Sequence, residues 1–233
     1  MAAEEQERSS RVAAAEAAIM QGVGTLRALA LIPLPGLPSP APVGKPEASK
    51  PDALKPPRDN YGRCADFTLK YEGLYSNHPN DKGGPTMRGV TMAVFKAWRR
   101  DDNLTIEDLK ALTDIEARQI YRTNYWNVVK GDELPIGIDL CLFDIAINSG
   151  VGRAGQCVQE VLGFTGRDVD RAIGPKTLRA ILAVNNRAAF IDDLIFWRLA
   201  FLKKLGNWDD FGAGWTTRVN ACNKLAQDML SKV

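Results

Sequence analysis

Nine of the chain's 13 prolines lie between Pro33 and Pro57. Proline fixes its own φ and carries no N–H, so a stretch this rich in it enters neither a helix interior nor the centre of a sheet. The residues around those prolines are mainly Ala, Ser and Lys, which leave little apolar surface to bury and favour extended, polyproline-like backbone. The chain is therefore expected to divide into an N-terminal segment over 1–32, a linker over 33–60 and a compact part over 61–233. That compact part is long enough for one good core. No repeat at solenoid periods is visible.

Residues 1–32 begin with acidic charges, and their apolar part is broken by Gln21, Gly22, Gly24 and Arg27. A secretory signal wants a basic start and an unbroken apolar core, and a membrane span wants about twenty apolar residues in a row. Neither is expected here. Ser10 can cap a helix carrying Val12, Ile19, Val23 and Leu26 at helical spacing. The segment reads either as a marginal helix or as an amphipathic docking helix for a protein partner.

Residue counts remove several kinds of chemistry. With one histidine, His78, the chain lacks the two or three imidazole ligands that a zinc hydrolase normally uses. No GxSxG nucleophile elbow accompanies that histidine. The cysteines Cys64, Cys141, Cys157 and Cys222 form no CxxC pair and read as reduced core residues. A net charge of +2 implies no broad basic face, so nucleic acid is not an expected partner. No metal and no organic cofactor is expected. Carboxylate chemistry remains.

Helical signals dominate the compact part. Thr105-Ile-Glu-Asp and Thr113-Asp-Ile-Glu116 have the pattern of capping boxes, and the second leads into Tyr121, Tyr125 and Trp126. Residues 137–150 read as a buried helix ending at Gly150, and another is expected from Ala154 to Leu162. Pro175 after Gly174 opens a further helix, and an apolar-periodic run extends from Arg187 to Leu205. Gly150-Val-Gly152-Arg-Ala-Gly155 matches a dinucleotide fingerprint, but no flanking strand is apparent, so it reads as a turn between helices. The expected class is α+β, mostly helical, with one small β or turn lobe.

That lobe is KYEGLYSNHPNDKGGPTMRGVT, residues 70–91. Cys64, Phe67 and Tyr71 form one helical stripe and Gly73 is a natural stop, which puts Glu72 in the last turn of a helix. The negative end of the helix dipole and the flanking Tyr71, Leu74 and Tyr75 would favour a protonated Glu72. Asp81 follows in a polar Asn80-Asp81-Lys82-Gly83-Gly84 turn, which favours an ionised carboxylate. Two carboxyl groups in contrasting surroundings suit acid/base cleavage of a glycosidic bond. Glu72 is the candidate acid, Asp81 the candidate base or charge stabiliser, and Thr86 a candidate for positioning the same water. The plainer readings are an exposed helix-end glutamate and a turn-forming aspartate.

The run from Glu72 to Thr86, followed by Gly89-Val90-Thr91, resembles the signature of glycoside hydrolase family 108. Those enzymes are lysozyme-like muramidases of phage lysis and bacterial toxin-secretion systems. The similarity continues through Glu116-Ala117, Ile120-Tyr121, Tyr125-Trp126, Leu134-Pro135, Asp144 and Asn148-Ser-Gly150. Beyond these it takes in Val169-Asp170, Ile173-Gly174-Pro175, Gly214-Trp215 and Arg218-Val219. By the resemblance, Glu72 matches the catalytic glutamate, residues 61–149 form a lysozyme-like catalytic part, and residues 150–233 form a peptidoglycan-binding part of the same globule. Leu74 stands where a second glycine is usual, and Arg171-Ala172 where a glycine is usual after Asp170. Against the looser pattern of phage-type lysozymes, Thr86 sits one residue closer to Asp81.

The expected substrate contacts are Tyr75, His78, Tyr125, Trp126, Asp144 and Asn148. The last two lie on one face of their helix, as cleft floor or as part of a capping network. Trp208 and Trp215 are further aromatics that would suit sugar stacking. The resemblance implies a muramidase that needs no cofactor and acts on bacterial peptidoglycan, either as an endolysin or attached to a virion. Without a signal peptide it would be made in the cytoplasm and reach the wall through a holin-type pore, dedicated export or virion delivery. A phage tail or an export machine would be the partner of residues 1–32. The competing expectation is a wall-binding or virion component that kept the fold without the activity.

Overall fold

The computed structural model describes residues 60–77 and 84–232. The expected docking segment and linker, together with His78 and Asp81, lie outside the described residues.

Helix α1 (Asn60–Lys70) buries Tyr61, Cys64, Ala65 and Thr68, a stripe at helical spacing. The small lobe follows as three antiparallel strands in the order β1-β2-β3: Tyr75–Ser76, Thr86–Met87 and Val90–Thr91. Tyr75 pairs with Met87, Ser76 with Thr86, and Thr86 in turn with Thr91. Arg88 (φ 47°) and Gly89 (φ 79°) make the two-residue link between β2 and β3. Two left-handed residues in a row are what a twisted hairpin of this length requires.

Thr91 then caps α2 (Met92–Arg99) by accepting a hydrogen bond from the Val94 N–H. Helices α3 (Ile106–Lys110) and α4 (Asp114–Tyr121) begin with the two expected capping boxes, both complete. Val90, Phe95, Leu109, Leu112, Ala117 and Ile120 form a separate small core under this lobe.

The centre of the larger core is α5 (Ile138–Ser149), in which every residue from Ile138 to Asn148 is buried. A helix apolar on all sides has to be surrounded, and α5 packs against α1, α6 (Val151–Val161), α8 (Arg187–Leu202) and α9 (Trp208–Leu230). One continuous core runs from Tyr61 to Met229 through these helices. Leu69, near the end of α1, packs against both cores. The chain just after it therefore leaves the seam between the two lobes. No helix among the described residues is long and apolar enough to cross a membrane.

Gly150 joins α5 directly to α6, two helices with no strand beside them, so the dinucleotide-like motif is a helix junction. Helix α6 starts three residues earlier than the sequence suggests, because this single glycine reverses the chain without a loop. Helix α8 stops at Leu202, short of Leu205, where Lys204 and Leu205 make tight turn bonds to Phe201 and Leu202. Pro175 occupies the first turn of α7 (Pro175–Leu182) as expected.

The turn at Asp170-Arg171-Ala172 presses onto α6 at Gly155, where an added Cβ would come within 2.1 Å of the Arg171 carbonyl oxygen. Gln159 clamps the same turn, donating to Asp170 and to the Ala172 carbonyl and accepting from the Arg171 N–H. Arg171 has φ 67°, which explains why glycine suits that position.

Asp139, at the first turn of α5, is fully buried. Its carboxylate accepts from the Gly137 and Leu140 N–H groups and from the Asn60 side chain, tying the start of α1 to the start of α5. Burial pushes its carboxyl from an ordinary 3.8 to about 6, against the pull of those hydrogen bonds. An acid raised in the folded state binds its proton more tightly there than in the unfolded chain. The stability from this group is thus complete below about pH 4 and lost as the pH rises through 6. On this account the native protein is expected to lose about 2–3 kcal/mol between pH 4 and pH 7. Asp139→Asn should flatten that slope in denaturant unfolding. An unchanged slope in the variant would show that Asp139 does not set it.

Candidate active site

Glu72 sits where α1 gives way to the small lobe. Tyr71 and Glu72 donate their N–H groups to the Thr68 and Leu69 carbonyls, two tight bonds that carry the chain past the last helical residue. Gly73, with φ 67°, then turns it away. Glu72 is therefore in the turn two residues beyond α1 and not in its last helical turn, because the backbone has already tightened there. The Arg88 N–H bonds the Leu74 carbonyl and fastens the far side of the turn to the β2–β3 hairpin. Glu72 is only 5% exposed.

Behind Glu72 lies a buried ionic cluster that sequence reasoning did not assemble. Arg218 on α9 donates from Nη2 to Glu72 Oε1 at 3.0 Å and to Asp144 Oδ1 at 2.6 Å. Its Nε sits 3.2 Å from both Asp144 oxygens. Arg198 on α8 donates from Nη1 to Asp144 Oδ2 at 2.7 Å and from Nη2 to Asn148 at 3.4 Å. The Thr68 hydroxyl on α1 adds a bond to Asp144 Oδ1 at 3.1 Å. Both arginines and Asp144 are almost completely buried. Burial alone would raise the Asp144 carboxyl, but Arg218 and Arg198 outweigh it and hold the group at about 2. The Arg218 guanidinium is in turn raised, with Asp144 and Glu72 overcoming its desolvation.

This cluster corrects two expected sugar contacts. Asp144 has no exposed surface and gives its oxygens to two arginines and Thr68, so it stands behind Glu72 and not on the cleft floor. Asn148, 1% exposed, likewise faces Arg198. Trp126 and Trp215 are each 1% exposed, and the Trp126 indole donates to Asp132. These two indoles pack in the core and present no face to a sugar.

Tyr75 is on the surface with Lys110 over its ring at 5.1 Å, and Leu74, at 61% exposed, stands next to the acid. Tyr125 and Trp208 are half-buried, in ring contact with Tyr121 and Trp215 respectively. The Thr86 hydroxyl, buried on β2, lies 3.5 Å from the Ser76 carbonyl oxygen, to which it donates. Cys64, Cys141, Cys157 and Cys222 are all buried and unbridged.

Arg218 was within reach of the sequence as part of Gly214-Trp215…Arg218-Val219, yet nothing in that pattern assigned it a role. The signal available was its position. Trp215, Arg218 and Cys222 share one face of α9, and Ile191, Leu194, Arg198 and Leu202 share one face of α8. A charge in the middle of an apolar stripe is almost never buried without a partner.

Glu72 is thus recessed at the junction of a helical core and a small three-stranded lobe and held there by a buried arginine. The family model described as glycosyl hydrolase 108 matches residues 65–150. A solved structure entitled "Structure of Brucella abortus SagA" is 40% identical over 73% of this chain and 95% of that one, with a TM-score of 0.66. The search of curated proteins gives no match. The chain belongs to the glycosyl hydrolase 108 family, and with that family goes the general function of a peptidoglycan hydrolase.

Proposed function

We propose that the protein is an N-acetylmuramidase that cuts the β-1,4 bond following N-acetylmuramic acid. The observation that carries this reading is Glu72, a buried carboxyl group at the lobe junction with one oxygen fixed by Arg218. Oε1 takes the guanidinium N–H, so the transferable proton rides on Oε2. That proton passes to the glycosidic oxygen as the bond from muramic-acid C1 breaks, and the bonding electron pair stays with the departing oxygen. C1 is left with oxocarbenium character, which Asp81 stabilises. A water oxygen then bonds to C1 and its proton goes to a carboxylate, giving a new reducing end and a free 4-hydroxyl.

Asp81 is the base if the two carboxyl groups are roughly 6.5–9.5 Å apart, and the nucleophile or ion stabiliser if they are about 5–5.5 Å apart. Thr86 aids the water. Leu74 and Tyr75 beside the acid, His78 in the following loop, and the half-buried Tyr125 and Trp208 are the proposed sugar contacts. An endolysin or virion-attached role, passage to the wall through a holin-type pore, dedicated export or virion delivery, and docking through residues 1–32 complete the reading.

The test is digestion of purified peptidoglycan by the full chain, with borohydride reduction and mass analysis of the fragments. Reduced muramic acid at the new ends is the expected result. Reduced glucosamine ends would replace the bond assignment. Binding to the sacculus without any release would make this a wall-binding protein.

A further inference from the structure

Arg218 is bonded along one edge only. Its Nε and Nη2 lie against Asp144, and Nη2 also reaches Glu72. Nη1 is buried and donates to nothing among the described residues. An unmet N–H on a buried cation is unfavourable and needs a reason. The Nη1–Nη2 end of a guanidinium is a fork that accepts both oxygens of a carboxylate in parallel. Here Glu72 is engaged at one prong.

The charges point the same way. Asp144 alone faces two arginines, Arg198 and Arg218, so the cluster holds one positive charge in excess while Glu72 carries its proton. When the proton leaves, Glu72 becomes the second carboxylate and the cluster is balanced. A fixed positive charge beside a group that turns negative during reaction stabilises the later state more than the earlier one, and that difference lowers a barrier. Asp144 keeps the fork in place throughout, itself held by Arg198 and Thr68.

Taking Glu72 as the proton donor proposed above, we propose that Arg218 is a positioning residue with two settings. It holds the loaded acid through Nη2 alone, and it closes Nη1 onto the second oxygen once the proton has gone. The neighbouring helices thereby drive the proton transfer as well as orient the acid.

Among the described residues Arg218 interacts with Tyr71, Glu72 and Asp144, while Asp144 also faces Arg198 and Cys141, and Cys141 is hydrogen-bonded to Cys222. Burial raises the Tyr71 hydroxyl against the opposing pull of Arg218, and a hydrogen bond to Cys222 together with burial raises the Cys141 thiol, so neither titrates near neutrality.

The experiment is the pH dependence of kcat and KM on solubilised glycan strands for the native chain, Arg218→Met and Arg218→Lys. Arg218→Met is expected to lose about 10²-fold in kcat with little change in KM. The alkaline limb of its profile should move to higher pH. Arg218→Lys should return the limb towards the native position and recover only part of kcat, since it restores the charge without the fork. A fall in kcat with the limb unmoved, or a change confined to KM, would overturn the proposal while native cleavage left the muramidase reading intact.

Should both variants fail to fold, the native chain decides through NMR titration of the Arg218 Nη resonances. They are expected to shift with pH in the native chain and to stay still in Glu72→Gln. Resonances that respond alike in the two proteins would refute the two settings.

Discussion

Glu72→Gln is expected to lower the turnover of peptidoglycan by about 10³-fold while leaving the fold in place. The amide is the same size as the carboxyl, and its oxygen can accept the Arg218 Nη2 hydrogen bond that Oε1 accepts now. What it lacks is a proton to give. Nothing else in the cluster can supply one: Asp144 is held ionised at about 2 and the arginines do not release theirs. The comparison to make is the rate of reducing-end release beside the thermal midpoint, native against variant. A loss smaller than tenfold, with the midpoint unchanged, would remove Glu72 from the acid's role.

Asp144→Asn tests the other half of the cluster and is expected to act on stability first. Two arginines that are 1% exposed would then face a neutral amide. Removing one partner from a buried ion pair costs about 3–5 kcal/mol, because the remaining charge stays out of water. In a domain of this size that corresponds to a thermal midpoint lower by roughly 10 °C. The native pair has its own pH signature. A carboxyl depressed from 3.8 to about 2 contributes stability that is present above pH 4 and disappears as the pH falls through 2. The variant should lack that acid-side loss. A drop in midpoint of a degree or less would mean that the arginines find water or another partner without Asp144.

Local signals made much of the fold legible. Thr105 with Asp108 and Thr113 with Glu116 mark helix starts by side chains that reach only three residues, and Pro175 and Gly150 act through their own backbone. Such features need no knowledge of the rest of the chain. Helix α9 is different. It contains Gly212, Gly214, Thr216, Thr217, Asn220 and Asn223, which favour helix weakly, and no side chain caps its start. It forms because α5 and α8 receive its apolar face. Tertiary packing outweighs propensity there, and a reading of local pattern passes over it. Short α2, whose cap is only the Thr91 hydroxyl, escaped in the same way.

The site divides along the same line. Glu72 could be picked out because the helix, the glycine stop and the polar loop around it are contiguous. Asp144 was recognised as notable but left between cleft floor and a capping network, since one helix face looks the same whether it meets solvent or two arginines. The arginines belong to helices far along the chain. Their pairing is a fact of three-dimensional packing, signalled in one dimension only by charges inside apolar stripes.

That separation bears on how the protein comes to life. Glu72 and the arginine that grips it are 146 residues apart, and contacts of such reach close late in folding. While the chain is being synthesised, the acid emerges long before α9 exists. The part of the sequence that holds Glu72 and Asp144 is thus complete well before their ionic cluster is. A ribosome-bound chain that has not yet reached α9 carries the glutamate without its cation, so the buried pair is assembled only once that distant helix has been made.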